Sequence, residues 1–145
     1  MMFKRILVAI DHSEAAKRAL DLAVELAKKY QAELTIITVF EPLQITTKTD
    51  PPSGNIAPYL REIKDDHMEL LNISVSEVLE KAPDLSIIKM LVYGKASEKI
   101  VEACKEGGSD LVVMGSRGSK GIRGFMGSTS RRVLEGTPCP LLIVK

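Results

Sequence analysis

Residues 114–130, MGSRGSKGIRGFMGSTS, gather the groups in this chain best suited to holding an anion. They include five of the ten glycines (Gly115, Gly118, Gly121, Gly124 and Gly127), five hydroxyl side chains, and the cations Arg117, Lys120 and Arg123, with no acid. Glycine reaches φ > 0 without a Cβ penalty, so successive backbone N–H groups can converge on one anion. A helix opening directly afterwards adds free N–H groups and the positive end of its dipole. The chemistry this combination suits is phosphate binding, with the loop glycines expected to supply positive φ and close backbone approach. Residues 116–134 carry five basic side chains and no acid on a chain of net charge +1, so everything else sums to −4. A local cationic loop on a near-neutral chain suits a small anion better than a long polyanion. A flexible Gly/Ser connection is the plainer reading. Against it stand the regular patterns on both sides and the interleaving of cations with glycines.

Such a loop needs a strand before it and a helix after it, and the chain supplies both. Residues 111–114 (LVVM) form an apolar run, and residues 129–135 are expected to form a short helix ending at Gly136, with Ser128 able to cap it and contact phosphate together. Upstream, residues 3–10 (FKRILVAI) read as a strand buried on both faces, with Asp11 at its end and Ser13 placed to cap a helix over 14–30. In that helix Ala16, Ala19, Leu20, Ala23, Val24 and Ala27 share one stripe. Residues 33–40 (ELTIITVF) are a second, β-branched strand. Residues 41–54 read as a long loop, and Pro58 suits the first turn of a helix running to about residue 81, where Pro83 stops it. That helix carries His67 on its apolar side, as expected of a core or interface histidine. A third strand over 85–92 turns at Gly94 into a helix marked by Ala96, Ile100 and Cys104 and closed by Gly107–Gly108. Residues 141–144 (LLIV) make a fifth strand. Strict β-α alternation predicts a single α/β domain, a doubly wound parallel sheet with helices on both faces. The usual orders are 2-1-3-4-5 and 3-2-1-4-5, and in the second the ligand crevice falls between strands 1 and 4.

The composition narrows the function classes. At 145 residues the chain builds one full core. No apolar run approaches the ~18 residues of a membrane span, and the N-terminus lacks signal-peptide anatomy, so a cytoplasmic protein is expected. Cys104 and Cys139 make neither a disulfide framework nor a metal quartet, and Cys104 is expected to be a buried, inert thiol. Six Tyr and Phe and no Trp leave few stacking platforms for nucleic-acid bases. A Walker loop is absent, since Gly94-Lys95 precedes Ala96 without a glycine five residues earlier. The first strand leads into Asp11-His12-Ser13 rather than a glycine fingerprint, and no metal signature or Gly-x-Ser-x-Gly elbow occurs.

Asp11-x-Ser13 after the first strand, SDLVVMGSRG over 109–118, Gly127-Ser128 opening a helix, and PCPLLIVK at the end together resemble the universal stress protein family, in its ATP-binding branch. The likeness runs from Phe3 to Lys145. Its specific part is G-x₂-G-x₉-G-[ST], matched by Gly115, Gly118 and Gly127-Ser128, although eight residues rather than nine separate Gly118 from Gly127. The resemblance implies the order 3-2-1-4-5 and a homodimer pairing through the last strand. It implies ATP as ligand, with Mg²⁺ or Mn²⁺, and weak hydrolysis or none. It places Asp11 near the ribose, with Ala9 and Ile10 lining the site, and Val39 at the adenine. Met114 and Gly115 lie beneath the ribose and phosphates. Gly118, Gly127, Ser128 and Thr129 form the triphosphate cradle, with Ser116 and Arg117 inside the same motif. Of the three loop cations, no more than one is expected to clamp phosphate, and Arg131 and Arg132 are expected to point outward.

The leading expectation is therefore an ATP-binding regulatory protein with an unidentified protein partner, contacting neither nucleic acid nor membrane. A slow ATPase or phosphoryl-transfer enzyme is the alternative, poorly equipped because no general base or second metal-holding acid accompanies Asp11. An interaction protein of the same fold that has lost ATP is the third.

Overall fold

The computed structural model describes residues 2–41, 57–117 and 126–145. The chain runs β1 (Arg5–Ala9), α1 (Glu14–Tyr30), β2 (Glu33–Phe40), α2 (Ala57–Lys81), β3 (Ile87–Tyr93), α3 (Ala96–Gly107), β4 (Leu111–Gly115), α4 (Ser128–Gly136) and β5 (Leu141–Val144). The five strands form one parallel sheet in the order β3-β2-β1-β4-β5. Of the two orders left open by the alternation alone, this is the one the family likeness implied.

The period-2 alternation of the inner strands divides the core in two. Ile6 and Val8 of β1, Leu34 and Ile36 of β2 and Leu111 and Val113 of β4 pack with the alanine stripe of α1 and with Leu71 and Val78 of α2. Leu7, Ile37, Val112 and Met114 face the other way, onto Ile100, Ala103 and Cys104 of α3 and Val133 of α4. Helices α1 and α2 therefore cover one face and α3 and α4 the other. Ala19, Ala23 and Ala27 have no exposed surface, so α1 lies close against the sheet. Among the described residues no helix is long and apolar enough to cross a membrane.

Several local expectations hold in detail. Ser13 caps α1, its Oγ accepting the Ala16 N–H at 3.1 Å. Gly94 turns the chain at φ +143°, and Gly108 closes α3 at φ +62°. Some bounds differ: β1 is shorter than residues 3–10, β3 is shifted from 85–92 to Ile87–Tyr93, and α4 starts at Ser128 rather than residue 129. β3 is only partly buried. It is an edge of the sheet, where among the described residues nothing pairs beyond it, and Ile88 is 44% exposed. Replacing Ser13 by Ala leaves the first turn of α1 without its side-chain acceptor. The expected cost is about 1 kcal/mol, read as a fall of roughly 3 °C in melting temperature for a domain of this size.

Candidate functional site

Where the sheet order reverses, β1 and β4 lie side by side and their connections diverge to opposite faces. A cleft of about 570 Å³ opens at their carboxyl ends, within the ~300–1,000 Å³ usual for ligand pockets. Its floor is Ala9 and Ile10 of the β1 end, Val39 of β2, and Met114 and Gly115 of β4. The β1 end is held rigidly: Ile10 N–H donates to the Ile37 carbonyl at 2.9 Å, and the buried Thr38 hydroxyl donates to the Ile10 carbonyl at 3.0 Å.

Asp11 stands on the cleft wall with one carboxylate oxygen, Oδ1, accepting the Ser13 N–H at 2.8 Å. The Asx turn and the ligand-facing position coexist, since a carboxylate has acceptor sites to spare. Gly115 is glycine for a packing reason. A Cβ there would stand 2.9 Å from Ala15 Cβ and 3.1 Å from both Ala15 C and Ala16 N, in the first turn of α1. The end of β4 and the start of α1 touch backbone to backbone.

The opposite wall is the opening of α4. Arg117, Gly127, Ser128 and Thr129 line the cleft. Gly127 caps the helix at φ −68° with no side-chain capping bond, and Ser128 is its first residue rather than its cap. The expected Ser128 cap and the expected positive φ at Gly127 are thereby corrected. Gly127 adopts a φ open to any residue, and its N–H is already used, donating to the Ser116 carbonyl at 2.6 Å. Ser116 does not line the cleft. Its N–H donates to the Val144 carbonyl at 2.8 Å, and its carbonyl also accepts the Ser130 hydroxyl at 3.0 Å, so it ties β4, β5 and α4 together. Among the described residues, the donors beside the cleft include the first N–H groups of α4, which have no intrahelical acceptor, and the Arg117 side chain. Gly118, Lys120 and Arg123 lie outside the described residues, as does most of the loop read over 41–54. Arg131 and Arg132 are exposed, as expected.

Three walls were not anticipated. Ala96 and Ile100 of α3 line the cleft, and Glu41 just after β2 accepts the Ala96 N–H at 3.0 Å. This carboxylate serves the start of α3 from a different element, where Lys95 provides no side-chain cap. His67 of α2 also reaches the cleft, its ring 6.1 Å from that of Phe40 and 5.8 Å from that of His12. His67 Nδ1–H donates to the Ile63 carbonyl at 2.8 Å. His12 in turn lies 3.5 Å from Asp66 of α2. The signal in the sequence was the polar triplet Asp11-His12-Ser13 at a strand end; its pairing with α2 across the cleft had no local signature. Among the described residues no cluster of three His, Cys, Asp or Glu side chains is placed to hold a metal ion.

The family model described as the universal stress protein family matches residues 2–145. Universal stress protein YxiE of Bacillus subtilis is 36% identical over 150 residues, covering 99% of this chain and 100% of that one. Universal stress protein UspA from Lactobacillus plantarum has the same fold, with a TM-score of 0.83 at 24% identity over 100% of this chain and 99% of that one. A universal stress protein solved in complex with cAMP aligns with a TM-score of 0.73 at 25% identity, over 100% of this chain and 99% of that one.

Proposed function

This chain belongs to the universal stress protein family, and on that premise we propose that it is a regulatory protein that binds ATP in the cleft between β1 and α4. The observation that carries the reading is the polarity of that cleft. An acid, Asp11, stands at the β1 end; a helix N-terminus and Arg117 stand opposite; Ile10, Val39, Ile37 and Met114 lie between them. That sequence of surfaces suits a ligand with a hydroxylated sugar, an apolar ring system and an anionic tail. The nucleotide in the cAMP complex of a relative is in keeping with it.

The base rests on the apolar surface by Val39 and Ile37, the ribose hydroxyls meet the Asp11 carboxylate, and the phosphates meet Arg117 and the first N–H groups of α4. A divalent ion, Mg²⁺ or Mn²⁺, is held mainly by the phosphates themselves, because the cleft offers it few acids; Asp11 is suited to its outer water shell. Binding changes the surface offered to a protein partner. Calorimetric titration of nucleotide-free protein with ATP and Mg²⁺ tests this: saturable binding that weakens in Arg117→Ala supports it, and heats no larger than dilution refute it.

We also propose a homodimer through β5. This strand is the outer member beside β4, and all four of its residues are apolar and half-buried, an edge that pairing with a second copy would protect. Light scattering should report a dimer for the full chain, and monomer or aggregate for a chain ending at Pro140. A stable dimer of the shortened chain would place the interface elsewhere.

A further inference from the structure

Away from the cleft, on the α3–α4 face of the sheet, the two cysteines meet. Cys104 lies in the last turn of α3 and is 1% exposed; Cys139 stands between Pro138 and Pro140 in the connection from α4 to β5 and is half-buried. They are 35 positions apart, yet their Sγ atoms are 3.2 Å apart, and the Thr137 hydroxyl lies 3.3 Å from one and 3.4 Å from the other. A disulfide requires about 2.05 Å between sulfurs, so closure needs an approach of only about 1.2 Å. Two prolines restrict the backbone around Cys139 and hold its thiol beside Cys104. Two small thiols sharing a weak S–H contact in the core is the plainer description, and it leaves the proximity without consequence.

We infer that Cys104 and Cys139 form a redox modification site, a dithiol that low-molecular-weight disulfides convert to an intramolecular disulfide. Cys139 is the half that meets the reagent, since Cys104 is buried. The Cys139 thiolate attacks one sulfur of R–S–S–R, forming a mixed disulfide and releasing one RS⁻. Cys104 attacks the Cys139 sulfur and its proton leaves with the departing group; the protein disulfide forms and the second thiol, RSH, is released. The two cysteines lose two electrons and two protons, and the reagent departs as two thiols. Burial pushes the Cys139 thiol up to about 11, which keeps it protonated at neutral pH and makes the first step slow. The second step is fast because the partner sulfur is already in place. The resulting bond closes residues 104–139, a loop that contains β4, the glycine loop and α4.

The full chain, folded and reduced, is incubated with oxidised glutathione, quenched with acid and measured by intact mass spectrometry, followed by alkylation of the denatured product. The urea-unfolded chain serves as the control for reagent activity. The expected wild-type product has lost two hydrogens, takes up no alkylating agent, carries no glutathione and reverts with a dithiol reductant. Cys104→Ala should hold one persistent glutathione on Cys139, and Cys139→Ala should remain unmodified over the same time. A wild type that accumulates the same stable adduct as Cys104→Ala, that links into disulfide dimers, or that keeps both thiols while the unfolded control is oxidised overturns the inference.

Discussion

Replacing Gly115 by alanine is expected to destabilise the protein by about 1–3 kcal/mol, the usual cost of forcing extra volume into a packed site. For 145 residues this is a fall of roughly 3–10 °C in melting temperature. The cause is close approach rather than dihedral strain, because Gly115 is not among the described glycines at positive φ, Gly94 and Gly108. The new Cβ meets Ala15 Cβ at 2.9 Å and the Ala15–Ala16 backbone at 3.1 Å. Those atoms belong to the first turn of α1, held by the Ser13 cap and by the alanine stripe beneath it, so neither side gives way cheaply. Relief requires β4 and α1 to part, which also displaces Met114 and Arg117 at the cleft. ATP affinity should therefore fall along with stability. Gly107→Ala is the control: its Cβ meets nothing nearer than Ser109 Oγ at 3.9 Å, and in a helix alanine is favoured over glycine by about 0.5–1 kcal/mol. If thermal unfolding places Gly115→Ala and Gly107→Ala together, the β4–α1 contact does not constrain the fold as described.

ATP with Mg²⁺ is expected to raise the melting temperature by roughly 5–12 °C when present at about 100 times its dissociation constant, where binding contributes ~2.7 kcal/mol. ADP should do less and AMP least. The donors that face the cleft from Arg117 and the opening of α4 suit phosphate oxygens, and each phosphate removed leaves some of them to water. Added salt should shrink the ATP shift more than the AMP shift, because the attraction is largely between exposed charges. GTP in parallel reads the apolar base surface near Val39. An unmoved melting temperature with millimolar ATP, in protein verified as nucleotide-free, would set the proposed ligand aside and leave an interaction protein of this fold as the better reading.

Local order was legible in the sequence because it is encoded locally. The bounds of α1 follow from Ser13 at one end and an unbroken alanine-rich stripe; β2 and β5 follow from apolar and β-branched runs; the close of α3 follows from Gly107–Gly108. The position of the cleft was also within reach, since β-α alternation admits few sheet orders and ligands gather where the winding reverses. Of the twelve residues named in advance, eleven are described, and ten of those line it: Ala9, Ile10, Asp11, Val39, Met114, Gly115, Arg117, Gly127, Ser128 and Thr129. What the tertiary structure decided is everything that depends on residues distant in the chain. Gly115 looked like a phosphate-loop glycine, yet its Cβ space is taken by α1, a neighbour 100 positions away. Gly127 has an ordinary φ, and its N–H is taken by Ser116. Glu41 supports the start of α3 across 55 positions, and His67 enters the cleft only because α2 crosses beside Phe40. Cys104 and Cys139 share no sequence motif, and packing on one face of the sheet brings α3 and the α4–β5 connection together. Propensity, capping and turn chemistry act over a few residues, so they can be read along the chain. Contacts between elements are set by the packing of the whole sheet, which no short stretch of sequence contains.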